Sequence, residues 1–323
     1  MESVSDYFFE RTRSHALSRD EEVIACSKDG ESLSDVYLMP SIGGWLTRIT
    51  TDRSLAPYWD DEIPAWSADG KWIAFIAQET EHEELYLIQP NGEGLHQLTN
   101  TGYDVVQFEW SPRGRQLAVI CNRNGAFDLS LVETETGSIV DLRTGTGIHS
   151  NPNWAQDETF ITYEYESPLL PSDLYRLDVA SKRVKQLTYS NPPALQKNKK
   201  VIPELICYKS YDGLEIPAFL YKPEKSNGAA IVYPHGDPQD HYGLIWDELA
   251  QYFAAKGYTY LAPNYRGLTG YGKQYERANY ENWGIGDTQD CLHAAKFLRG
   301  FQEIRPESVG SAGGSYGGYI RRK

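Results

Sequence analysis

Cysteine is scarce in this 323-residue chain: there are four, Cys26, Cys121, Cys207 and Cys291. They lie far apart and form no Cys-x-x-Cys pair, which argues against a disulfide framework or a zinc site. Long apolar runs are missing as well. Ala229-Ala230-Ile231-Val232-Tyr233 is typical of the longest, far short of the ~20 residues that a membrane-spanning helix needs. The opening residues, Met1 to Asp6, carry neither a basic segment nor an apolar one, so no secretory leader is read there and a soluble, cytoplasmic protein is expected. Nor is there an excess of positive charge. Thirty-one basic side chains face 45 acidic ones, a net charge of −14, and such a balance excludes a nucleic-acid footprint. What is present suits globular structure: 40% hydrophobic and 24% charged residues are incompatible with disorder. At about 150 residues per domain the length suggests roughly two domains.

The negative charge is unevenly placed. Residues 1–200 hold 31 acidic and 18 basic side chains, whereas residues 201–323 hold 14 and 13. Two different units are therefore expected to meet near residue 200. The acidic first unit could attract cationic peptides, but solubility is the simpler account.

The first unit is a repeat. Trp66, Trp110 and Trp154 are spaced by 44 residues, each inside a similar phrase. Pro64-Ala65-Trp66-Ser67-Ala68-Asp69-Gly70 leads into Trp72 to Phe75, Trp110-Ser111-Pro112-Arg113-Gly114 into Leu117 to Ile120, and Pro152-Asn153-Trp154-Ala155-Gln156-Asp157 into Phe160 to Tyr163. A weaker copy runs from Leu17-Ser18-Arg19-Asp20 into Val23 to Cys26. Each copy continues with a second alternating run, at Asp35 to Leu38, Leu85 to Ile88, Asp128 to Leu131 and Asp173 to Leu177. A third run follows at Leu46 to Thr50, Leu95 to Thr99, Ile139 to Leu142 and Val184 to Thr188. Period-two alternation broken by Asp-Gly, Asn-Gly and Thr-Gly turns specifies antiparallel hairpins. Several strands in a period of about 44 specify a β-propeller blade. An ordinary β-sandwich would need those phrases to recur by chance. Four blades are countable, at the sparse end of known rings.

After Asn191-Pro192-Pro193 and the polar Asn198-Lys199-Lys200 the pattern changes. A hairpin is expected around Tyr211-Asp212-Gly213, then a strand at Ala229 to Tyr233 buried on both faces. A helix is expected over Leu244 to Lys256, with Leu249, Tyr252 and Phe253 on its inner face and Gly257 after its end. Tyr258 to Ala262 reads as the next strand. Asp287 would cap a helix carrying Cys291, Ala294, Ala295 and Leu298, and Ser308 to Ala312 forms a last, weak strand. Strands alternating with helices predict a mainly parallel α/β sheet.

At the edge of that sheet stands Gly313-Gly314-Ser315-Tyr316-Gly317, a Gly-x-Ser-x-Gly elbow between a strand and a helix. Glycines flank the serine because larger side chains would collide with neighbouring backbone. The serine hydroxyl is thereby presented to a substrate, and the backbone N–H of Tyr316 points toward a developing oxyanion. A phosphate-binding loop would need a Lys-Ser/Thr ending, which is missing.

With these motifs the chain resembles the prolyl oligopeptidase family of serine peptidases, in particular its acylaminoacyl-peptidase and dipeptidyl-peptidase-like branch. The resemblance spans nearly the whole sequence: TolB-like blades precede an α/β-hydrolase carrying Tyr233-Pro234-His235-Gly236-Asp237-Pro238, Pro263-Asn264-Tyr265-Arg266-Gly267, Gly270-Tyr271-Gly272, Trp283-Gly284 with Asp287 and Asp290, and the elbow. It implies a β-propeller over residues 1–200, followed by the N-terminal part of an α/β-hydrolase domain over residues 201–323. It further implies Ser315 as nucleophile, acting on short peptides through an acyl-enzyme. The N–H of Tyr316 and the loop at Gly236-Asp237 would form the oxyanion hole. His235 would be structural. Arg266 would meet a substrate carbonyl or brace a loop. His241 and His293 carry no motif. No metal or organic cofactor is implied, no nucleic-acid or membrane partner is expected, and the oligomeric state is not specified.

The sequence departs from the family in two places. Asp237 replaces a second glycine; if the backbone there needs φ > 0 the exchange costs on the order of 1 kcal/mol, and a carboxylate there would oppose an oxyanion. The sequence also stops eight residues after Ser315, at Ile320-Arg321-Arg322-Lys323, whereas a hydrolase triad continues with Asp or Glu and then His. The expectation is a truncated or frame-shifted piece that does not turn over peptides on its own. An esterase of the same fold and a non-catalytic propeller that binds protein partners are the alternatives.

Overall fold

The computed structural model of the chain describes residues 12–29, 34–51, 64–142, 145–193, 195 and 199–322. The opening residues, read above for a leader, and Asn198 of the polar boundary lie outside them. The first part consists of antiparallel four-stranded units. One sheet runs β1 (Thr12–Leu17), β2 (Val23–Asp29), β3 (Ser34–Pro40), β4 (Thr47–Arg48), and a second runs β5 (Ala65–Trp66), β6 (Ile73–Ala77), β7 (Glu84–Ile88), β8 (His96–Gln97). The next two units are β9 (Asp104–Trp110), β10 (Gln116–Arg123), β11 (Ala126–Glu133), β12 (Ile139–Asp141), and β13 (Ile148–Trp154), β14 (Phe160–Ser167), β15 (Leu170–Asp178), β16 (Val184–Gln186). They merge into one eight-stranded sheet through a single parallel bridge between Phe127 and Ile148. Successive units pack face to face like the blades of a propeller. Val36 and Leu38 meet Ile73 and Phe75, Leu85 and Leu87 meet Val105 and Leu117, and Ile120 and Leu131 meet Ile161 and Leu177.

The repeated tryptophan has a repeated task. The indole N–H of Trp66 donates to Ala16 O (3.3 Å), that of Trp110 to Ala65 O (3.0 Å) and that of Trp154 to Glu109 O (3.3 Å). Each acceptor is the residue just before the corresponding position of the preceding blade, so Leu17 holds the tryptophan place in the weaker first copy. A second recurring bond closes the outer hairpin of three of the four units. Thr50, Thr99 and Thr188 hydroxyls bond the carboxylates of Asp35, Glu84 and Asp173 at 2.5–2.6 Å, and each accepts a backbone N–H at 2.9 Å, from Val36, Leu85 and Leu174.

The second part is a five-stranded sheet of order β17-β18-β20-β19-β21, where β17 is Glu204–Lys209, β18 Glu215–Tyr221, β19 Ala230–Val232, β20 Thr259–Pro263 and β21 Val309–Ser311. Here expectation and structure differ. The pairs β17–β18 and β18–β20 are antiparallel, and only β19–β20 and β19–β21 are parallel, so the sheet is mixed. The helices are α1 (Glu248–Ala255), α2 (Lys273–Arg277), α3 (Gly286–Leu298) and α4 (Ser315–Arg322). Helix α1 turns Ala250, Gln251 and Ala254 inward; of the three larger residues expected on one face, Phe253 packs on the core while Leu249 and Tyr252 are exposed. Its N-cap is Asp247, whose side chain accepts from Ala250 N, and Gly257 follows its end at φ +87°. Asp287 does not cap α3 but sits inside its first turn, the cap position being Ile285.

The two parts are closely joined. Gly125 of the β10–β11 turn (φ +88°) accepts from Leu244 N at 2.7 Å, and a Cβ at Gly125 would lie 2.6 Å from the Phe219 ring. Gln251 donates to Pro168 O (2.8 Å), and Asn122 of β10 meets His241 Nε2 (3.0 Å). The hydrolase loops are therefore built against the third and fourth blades.

Candidate active site

Strand β21 ends at Ser311, and the chain turns through Ala312-Gly313-Gly314 into α4, whose first residue is Ser315. Ser315 is exposed and adopts φ +49°, a left-handed conformation that costs a non-glycine residue roughly 1–2 kcal/mol. Neighbouring glycines permit the turn. A Cβ at Gly317 would stand 2.0 Å from Pro234 O and 2.7 Å from His235 O, and one at Gly313 2.7 Å from the Gly317 carbonyl carbon. The elbow thus packs directly on the loop that follows β19. That loop passes close to the hydroxyl: a Cβ at Gly236 would lie 3.3 Å from Ser315 Cβ and 3.9 Å from its Oγ.

Asp237 adopts φ +52°, the strained geometry for which a second glycine would be suited. Its side chain compensates locally, Oδ1 accepting Gln239 N at 3.0 Å in an Asx turn. The carboxylate is therefore engaged within its own loop. The backbone N–H groups of Gly236, Asp237 and Tyr316 donate to no partner among the described residues. The Tyr316 N–H lies at the first turn of α4, where the helix dipole favours negative charge.

Both flanks of the site are pinned by tyrosine side chains to which the sequence assigned no role. Tyr265 OH donates to His235 O and Asp237 O, each at 3.2 Å, and its ring stacks on His235 at 4.7 Å. Tyr316 OH donates to Asp287 Oδ2 at 2.5 Å, and the fully buried Asp287 also accepts Asn279 Nδ2, Gly284 N and Thr288 N. Burial, with the Asp287 carboxylate beside it, holds the Tyr316 hydroxyl well above its usual range. The sequence signal for both was present: each tyrosine lies inside a quoted motif, next to Arg266 or Ser315.

The histidines fall where a base is not offered. His235 Nδ1 meets Gly236 O at 2.6 Å, its Nε2 is buried without a partner among the described residues, and burial pushes its imidazole down to about 4. His241 is held by Asn122 and Thr269 at the propeller and is also pushed down to about 4 by burial. His293 lies on α3 against Gln289 O and Lys296. No imidazole or carboxylate among the described residues hydrogen-bonds Ser315 Oγ.

Of the two roles expected for Arg266, its contacts favour the brace over the substrate carbonyl. Arg266 is 5% exposed, and all five guanidinium N–H groups have partners: Nε and Nη2 bond Asp290 and Nη1 and Nη2 bond Asp212, all at 2.8–3.0 Å, and Nη1 also reaches Tyr211 OH at 3.4 Å. Arg266 bonds hold the Asp212 carboxyl down at about 2. With no donor left for a substrate carbonyl, Arg266 is a brace between the β17–β18 hairpin, β20 and α3, and leaves the set of substrate-facing residues.

Residues 226–322 match the profile of the prolyl oligopeptidase family, and residues 62–204 that of the TolB beta propeller domain. The chain is 24% identical over 298 residues to dipeptidyl-peptidase 5 of Porphyromonas gingivalis, covering 88% of this chain and 43% of that protein. It is 25% identical over 234 residues to the human acylamino-acid-releasing enzyme, covering 65% and 31%. The structure of a puromycin-hydrolyzing peptidase of Mycobacterium tuberculosis superposes with a TM-score of 0.80 at 20% identity, over 96% of this chain and 51% of that one. The chain thus spans at most about half the length of these proteins, and the structural likeness establishes the fold, a propeller followed by an α/β-hydrolase. No helix among the described residues is long and apolar enough to cross a membrane.

Proposed function

We propose, from the match of residues 226–322 to the prolyl oligopeptidase family, that the chain is the propeller and nucleophile-bearing portion of a serine peptidase acting on short peptides. The units meet near residue 200, between β16 and β17. Ser315 Oγ attacks the scissile carbonyl to form an acyl-enzyme, and the N–H groups of Tyr316 and the Gly236-Asp237 loop receive the oxyanion. The observation that carries this reading is the elbow itself: an exposed serine at φ +49°, opening a helix, beside backbone donors left without partners. Tyr265 and Tyr316 hold those donors in place.

Attack also needs a base. With His235 and His241 both engaged elsewhere, we infer that the 323 residues on their own do not turn peptides over. A peptide boronate tests the two claims separately, because it adds to a serine hydroxyl without expelling a leaving group. A boronate adduct seen by mass spectrometry on the wild-type chain and lost in Ser315→Ala supports the nucleophile and its oxyanion donors; a bound peptide with no adduct favours a non-catalytic binding module. Serine-dependent release of a chromogenic leaving group by the same preparation would overturn the inactivity.

A further inference from the structure

The propeller and the hydrolase also meet around a buried carboxyl group that the peptidase reading does not use. Glu83, just before β7, is 1% exposed, and its Oε2 has no hydrogen-bond partner among the described residues. Its backbone is tied to β9: its N–H donates to Asp104 Oδ1 (3.2 Å) and its carbonyl accepts Val105 N (2.8 Å). Besides the bonds at the third and fourth blades, a second group of bonds joins the two parts here. Gly270 N donates to Asp104 Oδ2 (2.7 Å), Lys273 N to Glu81 O (2.9 Å), Lys273 Nζ to Gln78 O (2.9 Å), and Gln78 Nε2 to Glu276 Oε2 (2.9 Å).

The charged groups around Glu83 are unequal. From the propeller come Asp104, which also holds His82 Nδ1 at 2.8 Å, and Glu81. From helix α2 come Glu276, which accepts Gln78 and Tyr280, and Lys273, whose ammonium is spent on Gln78 O. Glu84 is bonded to Thr99 and Thr101 within its own blade. The carboxylates of Asp104 and Glu276 are thus supplied with donors, whereas Glu83 Oε2 has none among the described residues. A buried charge without a partner is strongly disfavoured, and like charges beside it add to the penalty.

We propose that Glu83 is a proton-operated latch between the propeller and the hydrolase: neutral, it lets the junction close around it, and ionised beside Asp104 and Glu276, it loosens the bonds that join the two parts. Burial first, then those two neighbours, hold its carboxyl well above the usual range. His82 is raised by its bond to Asp104. Both groups bind their proton more tightly in the closed form. Their stabilisation is therefore present at low pH and lost as pH rises through the raised values, so the two act in the same direction. The inference rests on no part of the peptidase reading, since Ser315 takes no part in it.

Hydrogen–deuterium exchange of the full chain tests it, followed in peptides spanning residues 78–84 and 270–276 from acid to alkaline pH. The ratio of wild-type to Glu83→Gln exchange at each pH cancels the intrinsic pH dependence. The expected ratio is flat at low pH and then rises by about tenfold per pH unit, the slope of one proton. A ratio that stays flat throughout overturns the latch, as does faster exchange in Glu83→Gln. Should that variant not fold, the infrared band of a protonated carboxyl in the wild-type chain decides the matter. The band must bleach over the pH range in which the two peptides open; its absence, or bleaching without opening, overturns the proposal.

Discussion

Two carboxylates hold one guanidinium in this protein, and they are expected to differ greatly in worth. Asp290 is fully buried beneath Arg266, and Asp212 meets the same side chain at the surface with 39% of its side chain exposed. Replacing Asp290 by Asn leaves a 5%-exposed guanidinium facing a neutral amide, a loss of about 3–5 kcal/mol for breaking a buried pair. Replacing Asp212 by Asn removes a solvent-screened partner worth about 0–1 kcal/mol. At about 4 °C per kcal/mol for a unit of this size, the melting temperature of the hydrolase part should fall by about 12–20 °C for Asp290→Asn and by no more than about 4 °C for Asp212→Asn. Calorimetry on the two variants measures both. Equal losses would refute the reasoning, because they would mean that burial does not govern the strength of these pairs. The pH dependence follows from the same geometry: the Asp212 contribution is present above the ordinary carboxylate range and is lost as pH falls toward about 2.

Trp110→Phe removes the indole bond to Ala65 O while keeping most of the packing, and should cost about 1–3 kcal/mol by leaving that carbonyl without its donor; urea unfolding of the propeller checks it. Asp237→Gly should leave stability within about 0.5 kcal/mol, relief of strain offsetting loss of the Asx turn, whereas Asp237→Ala loses about 1 kcal/mol because it keeps the strain and not the bond. His235 and His241 are both held neutral, each down at about 4. Unfolding should therefore take up about two protons between pH 6.5, where an unfolded histidine titrates, and about 4, and stability should fall as pH drops through that window. Melting temperatures across the window, with His235→Gln and His241→Gln each removing about one proton from the slope, measure it.

The blades were legible because alternation and turn residues are local signals, and a tryptophan every 44 residues marks the phase. The first strand of each blade was less visible. The pattern of β13, Ile-His-Ser-Asn-Pro-Asn-Trp, is broken by a bulge between Ser150 and Asn153, and β9–β10 shifts register at Ile120/Cys121, so strict alternation fails there. Helix α1 misled through size: against the sheet it needs the small Ala250 and Ala254, which displaces Leu249 and Tyr252 outward. The elbow was readable because its glycines answer to sterics within a few residues and to one adjacent loop. For Arg266 the sequence left two roles open. Its partners lie 54 and 24 residues away in sequence, and only the folded chain brings the hairpin and α3 to the same guanidinium.

The tryptophan bonds give the propeller a rule of growth. The repeats of Trp66 and Trp110 each carry both an indole that reaches backward and, one residue earlier, the carbonyl that the next indole needs. Donor and acceptor keep the same 45-residue offset in the bonds of Trp110 and Trp154. A gain or loss of one whole repeat therefore leaves each remaining bond with a partner, whereas an insertion of part of a repeat strands an indole on one side and a carbonyl on the other. Architectures of this kind change their length in steps of a blade.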